Sequence, residues 1–195
     1  VSRVKYSDMV ALSTFMKDKF GYETGPFEGY SNTNASKKFL IRTDWNINDK
    51  NKLTARYVHH NSNAEINISN SQSAGNGNRT TQYNAMSFQN SGYIIMDNTR
   101  SAVLELNSKV SNTLHNDLIV SYDKQIEDRD YMSSMFPTID IKEGASTYTS
   151  VGFDPFTPSN KLNYWTFNVT DNVTKYLEKH TLVGGFNFQK YQSNN

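Results

Sequence analysis

The sequence contains no cysteine, only 4 prolines, and no run approaching the ~18 apolar residues that a membrane-crossing helix requires. Without cysteine there are no disulfides, thiolate metal sites or cysteine nucleophiles. Charge of one sign is lacking too: 20 Lys and Arg against 19 Asp and Glu leave +1 on 195 residues. That balance excludes the basic footprint of a nucleic-acid binder, so no nucleic-acid partner is expected. Hydrophobic residues make up 36%, below the roughly 45–50% of globular domains, which leaves little for a large buried core. The first residues, Val1 to Asp8, show neither the basic start nor the apolar centre of a secretory leader.

Aromatic residues, by contrast, reach 13%, and Asn and Ser are plentiful. Disordered chains lack aromatics, and helical bundles are rich in Ala, Leu, Glu and Lys. An antiparallel sheet with one hydrated face fits the composition. A transmembrane barrel is compatible with the mean hydropathy of −0.70, because only every second strand residue in such a barrel is apolar.

A short helix is expected over Ser7 to Phe20, with Ser7 as cap, Asp8 in the first turn, and Val10, Phe15 and Met16 on one face. Gly21 and Gly25-Pro26 end it. From Lys37 the period becomes two: Phe39, Ile41, Thr43, Trp45 and Ile47 alternate with Lys38, Leu40, Arg42, Asp44 and Asn46. The alternation resumes after Asp49-Lys50-Asn51, and two further hairpins follow, turning near Asn112-Thr113 and Leu177-Glu178. Six strands are predicted, near 37–48, 52–60, 100–111, 115–123, 162–175 and 180–191, paired in sequential order in one curved sheet.

Long connections separate the hairpins, roughly Asn61 to Asn98, with a low-complexity stretch from Ser69 to Asn78, and Lys124 to Asn160. Short turns at one end and long loops at the other are the asymmetry of an outer-membrane barrel. Three-residue turns would set Asp44 against Arg56 and Lys109 against Asp117, an opposite-charge pair on each polar face. Phe39, Ile41, Trp45, Leu104, Leu106, Val120, Phe167 and Phe186 would face lipid. Arg42, Asp44, Arg56, Lys109 and Asp117 would face the lumen. Asp171 falls on the lipid side and is expected within a few residues of a short turn.

Chemistry-bearing clusters are sparse. His59 and His60 point to opposite faces of a strand and do not share a metal ion. Asp44-x-Asn46-x-Asn48 starts like a calcium loop, but Asp49 and Ala55 stand where Gly and a bidentate Glu are needed. Ser111, His115 and Asp117 lack a nucleophile elbow. Asn34, Asn78 and Asn168 head glycosylation-like triplets, which abundant Asn, Ser and Thr produce by composition. The run Glu127-Asp128-Arg129-Asp130 reads as a solvated loop. No catalytic residue, metal or cofactor is assigned, and no enzyme activity is expected. Tyr131, Phe136, Tyr148, Phe153 and Phe156 in the loops read as packing and interface anchors, with a stacking surface for planar or apolar ligands as the functional alternative.

Several stretches carry a family likeness: Asp44-Trp45-Asn46-Ile47-Asn48 with Asn51-Lys52-Leu53-Thr54, Glu105-Leu106-Asn107-Ser108, Asn116-Asp117-Leu118-Ile119-Val120, Phe136-Pro137-Thr138-Ile139-Asp140-Ile141, and Asp154-Pro155-Phe156-Thr157-Pro158-Ser159-Asn160. Together they resemble the barrel region of TonB-dependent outer-membrane receptors, nearest the Oar-like, SusC-related branch.

The periodicity gives an all-β, antiparallel up-and-down meander, a partial transmembrane barrel of about six strands with one short N-terminal helix, and the resemblance implies that it belongs to a large barrel of the 22-stranded, plugged kind. Residues 1–36 would form an extracellular-loop segment and 37–195 the partial barrel. It further implies an internal fragment of a nutrient receptor in the bacterial outer membrane. Its partners would be outer-membrane lipid, a plug domain, the remaining strands, TonB through a region outside this sequence, and a nutrient ligand. Iron chelates, oligosaccharides and peptides all remain open as that ligand. Arg129, Lys142, Tyr148, Phe153 and Phe156 are the loop candidates for its capture. The rival reading is a soluble or secreted β-sheet binding module, an adhesin or carbohydrate-binding domain.

Overall fold

Alternation of apolar and polar residues runs through the six long strands, and it decides how they assemble. The computed structural model describes residues 1–71, 78–80 and 83–195; most of the low-complexity stretch therefore lies outside the described residues. Among these, one helix, α1 (Tyr6–Phe20), precedes nine strands: β1 (Asn34–Asn48), β2 (Asn51–Ile66), β3 (Met86–Ser87), β4 (Tyr93–Ser111), β5 (Leu114–Tyr131), β6 (Ile139–Glu143), β7 (Ser146–Val151), β8 (Leu162–Tyr176) and β9 (Thr181–Asn194). The chain divides into two compact units. A strand unit holds residues 36–62, 97–127 and 161–195, and a connector unit holds 1–35, 63–96 and 128–160.

The six long strands form one sheet in the order β1-β2-β4-β5-β8-β9, the predicted meander. The protein is a partial transmembrane β-barrel of all-β, up-and-down type, with β1 and β9 as the edges of the described sheet. Its register settles which residues share a face. Across β5, β8 and β9, Leu118 lies beside Asp171 and Phe186, Val120 beside Val169 and Phe188, and Tyr122 beside Phe167 and Lys190. The other face carries Asp117 beside Asn172 and Gly185, Ile119 beside Thr170 and Asn187, and Ser121 beside Asn168 and Gln189. Amide and hydroxyl groups bond laterally there: Asn187 Nδ2 donates to Asn168 Oδ1 at 2.8 Å and to Thr170 Oγ1 at 2.7 Å. Gly185 is required by close approach, since a Cβ at this position would lie 2.3 Å from the Asp171 carbonyl oxygen.

The strand ends close up to the short turns, and residues of equal parity share a face as predicted, Thr54 lying on Asp44 and Lys109 lining one concavity with Asp117. Only Asp49 and Lys50 separate β1 from β2, and only Asn112 and Thr113 separate β4 from β5. Asn48 Oδ1 accepts from the Lys50 amide at 2.9 Å and from Asn51 Nδ2 at 3.0 Å, so the turn is closed by its own side chains. Ser111 Oγ accepts from the Thr113 amide at 3.2 Å.

The connector unit corrects the picture of long irregular loops. Strands β2, β4 and β5 extend beyond their predicted ends, and Glu127-Asp128-Arg129-Asp130 lies within β5 rather than in a loop. A second sheet, ordered β3-β7-β6, was not expected; β3 pairs parallel to β7 and β6 antiparallel to it.

Helix α1 begins one residue early. Its N-cap is Lys5, without a side-chain cap bond, and Ser7 does not cap. Gly21 closes it at φ +64°, its amide reaching the Lys17 carbonyl while that of Tyr22 reaches Met16. The buried face is Met9 and Met16, two turns apart, whereas Val10 and Phe15 are exposed. Met9, Met16, Tyr22, Phe88 and Val151 form the core of this unit, with Phe27 and Phe136 packed against it.

Candidate functional site

On the strand unit, the polar face is organised around Asp44. Its carboxylate accepts Arg42 Nε at 2.9 Å and Arg42 Nη2 at 3.0 Å, Thr54 Oγ1 at 2.8 Å, and pairs with Lys52 Nζ at 3.0 Å. The predicted Asp44–Arg56 ion pair is not made: both residues lie on the predicted face, but the Asp44 carboxylate is taken up by Arg42, Thr54 and Lys52. Arg56 instead lines a small hollow with Arg42, Thr54, Val103 and Glu105. Lys109 and Asp117, the second predicted pair, make no ion pair among the described residues, but both line an open concavity of about 510 Å³ near the short turns. Lys50, Lys52, Asn46 and His115 line it as well. Arg42, Asp44, Arg56, Lys109 and Asp117 thus form a continuous charged surface on β1, β2, β4 and β5.

The histidines behave as strand neighbours of opposite facing. His59 stacks on Phe39 with ring centroids 5.4 Å apart, while His60 Nε2 sits 3.1 Å from Ser36 Oγ.

Phe39, Ile41, Trp45, Leu104 and Phe186 are exposed large hydrophobics, the expected state for side chains turned outward from a barrel wall. Asp171 does occur on this apolar face, in the row of Leu118 and Phe186. It lies five residues before the end of β8, deeper than expected, and Asn116 Nδ2 donates to its carboxylate at 2.6 Å.

Within the connector unit, the loop candidates are held in separate internal contacts. The Arg129 guanidinium lies 5.0 Å from the centre of the Tyr93 ring. Tyr148 donates its hydroxyl to Asp8 at 2.7 Å and accepts the Lys5 amide at 2.8 Å, fastening the start of α1. Desolvation, reinforced by the Asp8 carboxylate, raises the pKa of that phenol. Phe153 meets Tyr131 edge to face at 5.2 Å, and Phe156 is half-buried. Lys142 is exposed on β6.

Sequence reasoning missed the polar clamp that holds this unit. Arg79 Nε donates to both Asp140 oxygens at 3.0 Å, and Arg79 Nη1 donates to the carbonyls of Ser69 and Ser71. Ser150 Oγ donates to Asp140 at 2.6 Å. Asp154, fully buried, accepts the amides of Ser69 and Phe156 and the Thr157 hydroxyl. The signal for Asp154 was present: Asp three residues before Thr, with Pro between, is an Asx-turn pattern.

A family model described as Outer membrane beta barrel domain matches residues 13–195. The chain belongs to that family. This outer-membrane barrel protein matches no curated protein and no solved structure. Membership fits the geometry: antiparallel strands, one apolar and one polar face, and short turns between hairpin partners. No helix among the described residues is long and apolar enough to cross a membrane.

Proposed function

We propose that this chain is part of the barrel of a TonB-dependent receptor that takes up a nutrient across the outer membrane. The observation that carries the reading is the polar face of the wall. Arg42, Asp44, Arg56, Lys109 and Asp117 occupy it together with the lateral amide network of Asn168, Thr170 and Asn187. Small barrels fill their interior with packed side chains, whereas a face this charged requires a hydrated or protein-filled lumen. The motif likeness to the Oar-like, SusC-related branch supports TonB as the energy source and a nutrient as the cargo, with iron chelates, oligosaccharides and peptides all open.

In this reading Arg129, Tyr148 and Phe153 brace the connector unit, which presents exposed groups such as Lys142 to solutes. Lipid, a plug, the remaining strands and TonB are the partners. No enzymatic step is assigned to any residue.

The test is growth of a strain lacking the whole receptor on panels of iron chelates, oligosaccharides and peptides as sole sources, with and without TonB. Loss of growth on one class, reproduced by removing TonB, is the expected result. Unchanged growth on every class in an otherwise unredundant background overturns the transport reading. A deletion of residues 127–160 is a poor probe, because it removes Asp140, Val151 and Asp154 from the connector core; Lys142→Glu leaves that core intact.

A further inference from the structure

The apolar face of the strand unit changes character abruptly at one level. Lys124, Trp165 and Gln192 form one lateral row across β5, β8 and β9, and Tyr122, Phe167 and Lys190 form the next. Lys190 Nζ lies 5.9 Å from the centre of the Trp165 indole, and the Tyr122 and Trp165 rings stack at 6.1 Å. Among the described residues neither Lys124 nor Lys190 makes an ion pair. Below them, toward the short turns, come Val120, Val169 and Phe188, then Leu118 and Phe186 with Asp171 between them, its carboxylate bonded to Asn116.

The spacing matches a bilayer. From the row of Leu114 to the row of Lys124 the strand advances ~34 Å at ~3.4 Å per residue, and a tilt of 35–45° reduces this to about 25 Å of height. That is the height of the lipid-facing apolar band of a barrel. Lys124, Lys190, Trp165 and Tyr122 therefore stand at its rim, where Trp and Tyr anchor to headgroups and lysine stems lie along apolar surface with their ammonium groups in the polar layer.

We propose that Lys124 and Lys190, set on either side of Trp165, form a binding site for the phosphate of an anionic membrane lipid. Strands two apart in a sheet are separated by ~10 Å, which two lysine side chains close from both sides onto a single phosphate. The cation–π contact holds one ammonium over the indole. Charge complementarity selects an anion, and the continuity of the site with Val120, Val169 and Phe188 selects one that carries acyl chains. A free phosphate has no use for that surface. The proposal rests on the reading of this face as lipid-facing.

The experiment uses the intact receptor with every tryptophan but Trp165 replaced by Phe, Trp45 included, in vesicles where either phosphatidylcholine or phosphatidylglycerol carries brominated acyl chains. Stronger quenching of Trp165 by brominated phosphatidylglycerol at equal mole fraction is expected. At about fivefold per lysine, Lys124→Gln with Lys190→Gln should lower the relative association of the anionic lipid about twenty-five-fold. The pair Lys124→Arg and Lys190→Arg should retain it. Heat-modifiable migration on gels checks that each variant is folded. Equal quenching by both lipids in the parent protein, or an unchanged preference in the glutamine pair, overturns the headgroup site while leaving the face in lipid. Displacement by millimolar inorganic phosphate also overturns it, since the site then takes the free anion. Absence of quenching by either lipid shows instead that the lipid-facing reading itself has failed.

Discussion

The Arg79 guanidinium and the Asp140 carboxylate meet at 3.0 Å with only 1% and 6% of their side chains exposed. They lie 61 residues apart in sequence and join the two long connections that the meander leaves between its hairpins. A charge pair this dry is maintained by its additional partners: the Ser69 and Ser71 carbonyls accept from Arg79, and Ser150 donates to Asp140. The connections thus fold as a unit with its own interior.

Removing one member of the pair strands the other without a counter-charge. Arg79→Ala should cost about 3–5 kcal/mol in the connector unit. Replacing both, as Arg79→Met with Asp140→Leu, should recover most of that loss because no buried charge remains. Hydrogen exchange over residues 63–71 and 128–160 measures both. Equal protection in Arg79→Ala and the parent protein would show that the pair does not hold the unit together.

Gly184 and Gly185 are adjacent on β9 yet meet different surroundings. A Cβ at Gly185 would collide with the Asp171 carbonyl at 2.3 Å and Asn172 Oδ1 at 2.5 Å, whereas at Gly184 nothing lies within 4 Å. Gly185→Val should force β9 from β8, at about 1–3 kcal/mol or more, and lower the temperature of gel heat-modifiability. Gly184→Ala should leave it unchanged. A similar shift in both variants would contradict the close approach.

Tyr22 gives the connector unit an alkaline limit. Its ring is 2% exposed and its hydroxyl lies 2.9 Å from Ser133 Oγ. Burial raises the phenol above its ordinary 10.0, and the Ser133 hydrogen bond opposes this in part. The folded unit therefore holds the proton more tightly than the unfolded chain. By linkage, this contribution is fully present below pH 10 and is lost as pH rises from there through the folded value. Tyr22→Phe should lose about 1 kcal/mol from the missing hydrogen bond at neutral pH and show a shallower decline than the parent above pH 10. Melting of the two proteins at pH 8 and pH 11 compares them; parallel declines would rule out Tyr22 as the titrating group.

The strands were legible because a period of two survives in any sheet with one wet face, as Phe39 to Ile47 shows. Their upper ends were not, because composition there stops alternating. Glu127-Asp128-Arg129-Asp130 reads as a solvated run, yet β5 continues pairing with β8 as far as Glu127 and Leu162, and Arg129 finds the Tyr93 ring. The helix was legible from Gly21, but its buried face was not: Met9 and Met16 acquire meaning only from Tyr22, Phe88 and Val151, which no local pattern links to them. The five lumen candidates were read from alternation and share one face, whereas the ion partners of Asp44 were not legible, because Arg42 beside it on the same strand and Lys52 both reach its carboxylate ahead of Arg56. Asp140 and Arg79 gave no signal of each other, since Arg79 is a lone charge in a polar stretch and Asp140 sits between Ile139 and Ile141 beside other charges, 61 residues away.

Membrane orientation supplies the last prediction. Strands of 14 to 19 residues exceed the roughly 9–11 needed for a crossing, so each extends beyond the bilayer, while the turns at Asp49-Lys50 and Asn112-Thr113 contain no surplus chain. Barrels of this class place short turns in the periplasm and long connections outside the cell. Lys50, Asn112, Ser134 and Ser159 are all exposed, so accessibility of the side chain itself does not distinguish them. Single cysteines placed at these four positions, in a chain that has no cysteine of its own, should therefore separate by membrane side. A membrane-impermeant maleimide applied to intact cells should label Ser134→Cys and Ser159→Cys, and should label Lys50→Cys and Asn112→Cys only after the outer membrane is opened. Labelling of Lys50→Cys in intact cells at the rate of Ser159→Cys would invert the orientation and transfer any role in ligand entry from the connector unit to the concavity beside the short turns.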